Sequence, residues 1–171
     1  MKNIVGKSDV EKVLSIITDA GGEIVGLTRL HNIACLLELA GVGEGFFFVY
    51  KRYGPFCDEL TWAVESACVM KTLHEKEKLA SWGGKYSIYS LPTGSQLVDA
   101  PIHVRKYLLD AATTANPIDL ELAVTAAYFK NKGMKDPWEE VSVCKAHMIK
   151  TGRLTNAKQL YEKFRSINSD I

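Results

Sequence analysis

The chain has 171 residues, of which 47% are hydrophobic and 24% are charged. This composition is typical of a globular domain that buries a core without metal ions or disulfide bonds. The formal net charge is +1, so the molecule as a whole carries no strong field toward nucleic acid or an anionic membrane. No apolar run has the length of a membrane span, and the N-terminus lacks the apolar stretch of a signal peptide. We therefore expect a soluble, cytoplasmic protein with no membrane partner.

The first part of the chain predicts two helices joined by a short β-like segment. Ser8 followed by Glu11 is a capping-box signal for the start of the first helix. Gly21 and Gly22 end that helix, and the β-like residues 23–27 follow. Thr28 is expected to cap the second helix, whose apolar positions recur at helical spacing.

An aromatic run, a turn, a third helix and a hairpin are predicted next. Residues 46–50 are β-prone and lead into a turn at residues 51–55. A third helix begins at about Cys57. Gly83 and Gly84 lie between two short β-prone runs, which predicts a hairpin over residues 77–91.

Four helices are predicted after the hairpin. One spans about 101–112, and Asn116 followed by Pro117 starts the next. Asp136 and Pro137 repeat this cap signal and start a helix that is expected to end at Gly152, and Thr155 is expected to cap the last helix. The predicted fold is mainly α with a small β-hairpin. A winged-helix-like region covers residues 1–92, and a helical extension over residues 93–171 packs on it to form one compact unit.

The predicted third helix is acidic, which bears on what a winged helix could bind. Recognition helices in this fold type enter the major groove of DNA, where Lys and Arg neutralise phosphates. Here the helix carries Asp58, Glu59 and Glu65 and no Lys or Arg. Aromatic side chains beside carboxylates are instead a composition found at protein interfaces. The predicted partner-binding residues are Tyr53, Phe56, Asp58, Glu59 and Trp62.

Basic residues elsewhere leave a DNA-binding alternative open. Five cations flank the third helix or lie on the hairpin: Lys51, Arg52, Lys76, Lys78 and Lys85. Residues 130–171 add nine Lys/Arg against five Asp/Glu, a balance of +4. Six of these are expected to form a solvated basic face: Lys145, Lys150, Arg153, Lys158, Lys163 and Arg165. This alternative is a winged-helix transcription regulator.

Three segments carry a resemblance to a known family. Residues 28–37, residues 48–60 with the Tyr53-Gly54-Pro55 turn, and residues 120–128 resemble the Panacea (SocA-like) group of antitoxins and related bacterial and phage-associated proteins. That resemblance covers about two thirds of the chain. It implies a regulator, antitoxin-like or associated with phage defence, that binds a cognate toxin or another phage or host protein. It implies no catalytic residue, and a homodimer is compatible with it.

Metal-ligand and nucleophile signals are weak. His31 with Cys35, and Cys144 with His147, are each spaced to share a helix face, but neither spacing is that of a zinc finger. Cys57 stands at a helix start, where the dipole lowers a thiol pKa, yet Asp58 and the neighbouring glutamate oppose that effect. The chain has no P-loop, no GxGxxG and no GxSxG motif. We expect no metal, cofactor or catalytic residue, and an unrecognised hydrolase or nuclease is the second alternative.

Overall fold

A computed structural model describes residues 6–95 and 101–171. In chain order, its elements are α1 (Asp9–Asp19), β1 (Glu23–Val25), α2 (Leu27–Leu39), β2 (Val49–Lys51), β3 (Gly54–Phe56), α3 (Asp58–Val69), β4 (His74–Leu79), β5 (Lys85–Ser90), α4 (His103–Thr114), α5 (Pro117–Asn131), α6 (Pro137–Cys144) and α7 (Arg153–Ile167). The prediction of a mainly helical chain with a small β component is confirmed. Among the described residues, no helix combines the length and apolar character that crossing a membrane requires.

The first two helices show one correct and one incorrect cap prediction. Ser8 caps α1 in a full capping box, because its hydroxyl oxygen accepts the Glu11 backbone N–H and its own backbone N–H donates to the Glu11 carboxylate. The start of α2 was predicted wrongly, because its N-cap is Gly26 and not Thr28. Gly26 has a φ of +93°, a conformation that glycine adopts without steric cost. This sharp turn takes the chain directly from β1 into α2.

The predicted hairpin is present and forms most of a three-stranded sheet. The strand order is β1-β5-β4, and both pairings are antiparallel. The first hairpin strand begins at His74, three residues before the predicted start. Alternation along β4 places Glu75 and Glu77 on one face and Lys76 and Lys78 on the other. Glu75 accepts hydrogen bonds from Ser87 and from the buried Tyr89, so the glutamates lie on the inner face.

A second, two-stranded sheet forms at the turn before α3. β2 pairs with β3 in register Val49↔Phe56 and Lys51↔Gly54, leaving Arg52 and Tyr53 as a two-residue turn. The sequence predicted the turn but not β3. Gly54 has a φ of +99°, which only glycine adopts readily.

The C-terminal helices begin at the predicted Asn116 and Asp136 caps, whose side chains accept backbone N–H bonds. Two boundaries were predicted wrongly. α6 ends at Cys144 instead of Gly152, and α7 begins directly after Gly152 instead of at Thr155. Lys145, the residue after α6, turns its side chain into the interior, and the chain then leaves helical geometry.

The two halves of the chain share one core. Every residue of α5 from 119 to 129 is buried, and this helix packs against α2, α6, α7 and β3. Arg105 on α4 adds a buried ionic link to the N-terminal half. Its guanidinium contacts Asp19 at 2.7 Å, Glu44 at 2.8 Å and the Val42 carbonyl at 2.8 Å. The helical extension is therefore packed against the N-terminal elements through both apolar and charged contacts.

Candidate functional site

The outward side of α3 combines carboxylates with large apolar side chains. Leu60, Ala63, Val64 and Ala67 face the core, so helical periodicity turns the opposite side to solvent. Trp62 is 62% exposed and Val69 is 82% exposed. Around them lie further exposed residues, which together define the α3 face: Asp58, Glu59, Trp62, Glu65, Ser66, Val69 and Met70. This face contains no Lys, Arg or His.

The other two predicted partner-binding residues, Tyr53 and Phe56, lie at the turn before α3 and differ in exposure. Tyr53 is 66% exposed and lies at the tip of the β2–β3 turn. Phe56 is half-buried, and its ring stacks on His31 with ring centroids 4.4 Å apart. The Lys51 ammonium lies 4.2 Å from the centre of the Phe56 ring and also pairs with Asp58 at 3.1 Å. Tyr53 thus joins the exposed surface, whereas Phe56 supports the turn from beneath.

His31 is a buried neutral side chain. Its Nε2 lies 3.1 Å from the Thr61 hydroxyl, and burial lowers the pKa of its imidazole to about 4. The two His/Cys pairs whose spacing was considered for a metal site do not form one, and Cys144 accepts a hydrogen bond from the Tyr50 hydroxyl at 3.0 Å. Within residues 6–95 and 101–171, no group of three or more His, Cys, Asp or Glu side chains could hold a metal ion.

Three of the four cysteines, Cys35, Cys57 and Cys68, do not resemble activated nucleophiles. Burial raises the pKa of the Cys57 thiol to about 11, and the nearby Glu59 carboxylate raises it further. Burial also raises the thiol pKa of Cys35 and of Cys68. Such thiols stay protonated at neutral pH, whereas the thiolate is the nucleophilic form.

A buried ion pair between Lys145 and Glu121 supports the β2–β3 turn from beneath. The prediction that Lys145 belongs to a solvent-exposed basic face was therefore wrong. Lys145 is fully buried, not solvent-exposed. Its ammonium donates to Glu121 Oε1 at 2.5 Å and to the Arg52 carbonyl at 2.9 Å. Arg153 is also only partly exposed and pairs with Asp119. The other four residues of that predicted face, Lys150, Lys158, Lys163 and Arg165, are exposed.

The polar residues beneath Gly54 were not among the predicted site residues. A Cβ atom added at Gly54 would lie 3.5 Å from Thr125 Oγ1 and 3.8 Å from Asn32 Oδ1. Both of these polar atoms are buried and have no hydrogen-bond partner among the described residues. Glu121 and Thr125 stand in an otherwise apolar helical stretch, residues 120–129. The charge of Glu121 could have indicated this site from the sequence, because a charged residue within an otherwise apolar helix is usually buried and paired.

The five cations predicted for nucleic-acid contact divide into two groups. Lys51 pairs with Asp58, and Lys85 pairs with Glu77 at 2.7 Å. Arg52, Lys76 and Lys78 are exposed and have no ion-pair partner in the described part of the chain. The two hairpin lysines share the outer face of β4.

A groove lies between the inner face of the β4–β5 hairpin and the first turns of α2 and α5. We call it the hairpin groove, and its volume is about 840 Å³. Its walls include Leu79, Trp82, Thr28 and Ile118, and Glu121 also lines it. It is separate from the residues of the α3 face.

Comparisons with known proteins found one relative. The chain is 29% identical over 163 residues to the uncharacterized protein YwgA of Bacillus subtilis (strain 168), a match that covers 91% of this chain and 96% of that protein. No protein-family model matches the chain. No solved structure matches it.

Proposed function

We propose that this chain is a non-enzymatic regulator, antitoxin-like or associated with phage defence, that binds another protein through the α3 face and the adjacent Tyr53 turn. We also propose that its N-terminal half is a winged helix. The order α1-β1-α2-α3-β4-β5 and the sheet order β1-β5-β4 support that arrangement, with the β2–β3 hairpin as an insertion before α3.

The composition of the α3 face carries the proposal. In a winged helix this face would meet the phosphates of DNA. Asp58, Glu59 and Glu65 all point outward, and like charges repel phosphate. Trp62 and Val69 lie two helical turns apart on the same side, where they expose apolar surface that a partner can cover. The partner surface should therefore be apolar and rimmed by basic side chains.

A comparison of matched variants tests this proposal. Glu65→Lys and Trp62→Ala change exposed α3 residues, whereas Glu162→Lys makes a similar charge change on α7. Tagged chains are used to capture host proteins, which are quantified by mass spectrometry. We expect a protein retained by wild type and Glu162→Lys, with retention reduced on the order of tenfold by either α3 variant. Equal retention by all four chains, or none above background, would contradict the proposal.

The exposed hairpin lysines support a second candidate, a DNA-binding transcription regulator. Lys76 and Lys78 lie on the outer face of β4, without carboxylate partners among the described residues, and could contact a phosphate backbone. A gel-shift titration at two salt concentrations distinguishes this candidate. A DNA binder loses affinity steeply with salt, and Lys76→Glu with Lys78→Glu should reduce the salt slope by about two. No shift at low salt would exclude this candidate.

A further inference from the structure

The hairpin groove has the size and wall chemistry of a small-molecule site. Its volume of about 840 Å³ lies within the range of typical ligand pockets. Leu79 is 72% exposed and Trp82 is 80% exposed, and both line the groove. Ile118 and Val25 contribute apolar surface from the other walls. A flat apolar body inserted here would cover side chains that are otherwise open to water.

Polar groups along the groove define what the ligand should present. Glu121 is only 6% exposed. Its Oε1 accepts from Lys145, but no donor among the described residues reaches its second carboxylate oxygen. The Thr28 hydroxyl also has no partner in the described part of the chain. Acceptor atoms are therefore available in this groove.

The cations of the groove, in contrast, are already engaged. Arg29 donates to four backbone carbonyls, those of Val25, Ala112, Thr113 and Ala115. Lys85 is paired with Glu77. An anionic ligand would thus compete with existing contacts, whereas a hydrogen-bond donor would find an open acceptor. Because Lys145 already balances the charge of Glu121, a neutral donor suffices and leaves no extra charge buried.

We propose that the hairpin groove binds a planar aromatic small molecule that carries an N–H donor. The aromatic body packs between Trp82 and Ile118, and the donor contacts the free carboxylate oxygen of Glu121. This activity is independent of the α3 face.

Indole and 1-methylindole are matched probes, since they share an aromatic body and differ in the N–H donor. The protein contains three tryptophans, Trp62, Trp82 and Trp138, so its ¹⁵N-labelled form reports binding through three side-chain N–H resonances. Replacing each tryptophan by Phe assigns them. We expect indole to shift the Trp82 resonance saturably, with an affinity about tenfold tighter than that of 1-methylindole. The Trp62 and Trp138 resonances should stay unchanged.

The double variant Glu121→Leu/Lys145→Met removes the carboxylate without leaving an unpaired ammonium. We expect it to bind both probes with similar affinity. The proposal is overturned if indole produces no saturable shift at Trp82, if the wild-type protein binds both probes equally, or if the double variant keeps the wild-type discrimination. If the double variant does not fold, the affinities of the wild-type protein for indole and 1-methylindole still test the proposal.

Discussion

Replacing Lys145 by Met should strongly destabilise the protein, although sequence patterning alone would place this lysine on a solvated surface. The side chain is fully buried, and Glu121 beside it is 6% exposed. Loss of the ammonium leaves the Glu121 carboxylate without its cation and the Arg52 carbonyl without its donor. Breaking a buried ion pair by removing one partner costs about 3–5 kcal/mol. We expect Lys145→Met to lie near the lower limit, because Glu121 also borders the hairpin groove.

The assay is urea-induced unfolding followed by circular dichroism, with Lys163→Met as the control. Lys163 is exposed on α7, so its replacement should change the free energy of unfolding by less than about 0.5 kcal/mol. The double variant Glu121→Leu/Lys145→Met should lose clearly less than the sum of its two single variants, since neither charge then remains unpaired.

Two results would refute the buried-pair reasoning. One is a Lys145→Met variant whose free energy of unfolding lies within about 1 kcal/mol of wild type, and the other is additive losses in the double variant.

Three further predictions concern His31, the turn and the link between the halves. His31 has a pKa of about 4 in the folded protein against 6.5 unfolded. Its contribution to stability is complete above pH 6.5 and is lost as the pH falls toward 4, by about 3 kcal/mol. The free energy of unfolding of His31→Gln, measured with urea at several pH values, should not show this loss. If wild type and His31→Gln lose stability in parallel as the pH falls, the prediction is wrong. Thermal melts should show that Gly54→Val and Pro55→Ala each lower Tm more than Cys57→Ala, because Gly54 has a positive φ; a worst loss at Cys57 would defeat this ranking. Arg105→Met should cost about 3 kcal/mol in urea unfolding, since it leaves Asp19 without its cation and the Val42 carbonyl without its donor, whereas Glu44 keeps its pair with Lys7; a near-neutral result would show that this cluster does not hold α4 in place.

Local signals predicted the element types well. Three of the starts, at Ser8, Asn116 and Asp136, are correct because each side chain caps the backbone that immediately follows. The wrong starts of α2 and α7 lie beside Gly26 and Gly152. Both glycines have positive φ values, a backbone conformation that glycine adopts readily. The helices therefore start directly after these glycines and not at the threonines that side-chain capping suggested.

The candidate site depends more heavily on long-range contacts. Lys145 and Glu121 are 24 residues apart, and no local pattern indicates that they meet beneath the turn. The alternating sequence of β4 assigns its glutamates to one face and its lysines to the other. Which of these faces is inward is shown by the contact of Glu75 with Tyr89 in the structure. The exposed direction of α3 could be inferred from the sequence, because its apolar residues recur at helical spacing.

Site-specific photo-crosslinking in the host cell tests the proposed binding surface most directly. A photoreactive amino acid replaces Ser66 on the α3 face, Lys78 on the outer face of the hairpin, or Gln159 on α7, all of them exposed positions. The proposed function predicts a discrete protein adduct from position 66 that disappears when Glu65→Lys is added, with none from position 159. A nucleic-acid adduct from position 78, with no protein adduct from position 66, would contradict it.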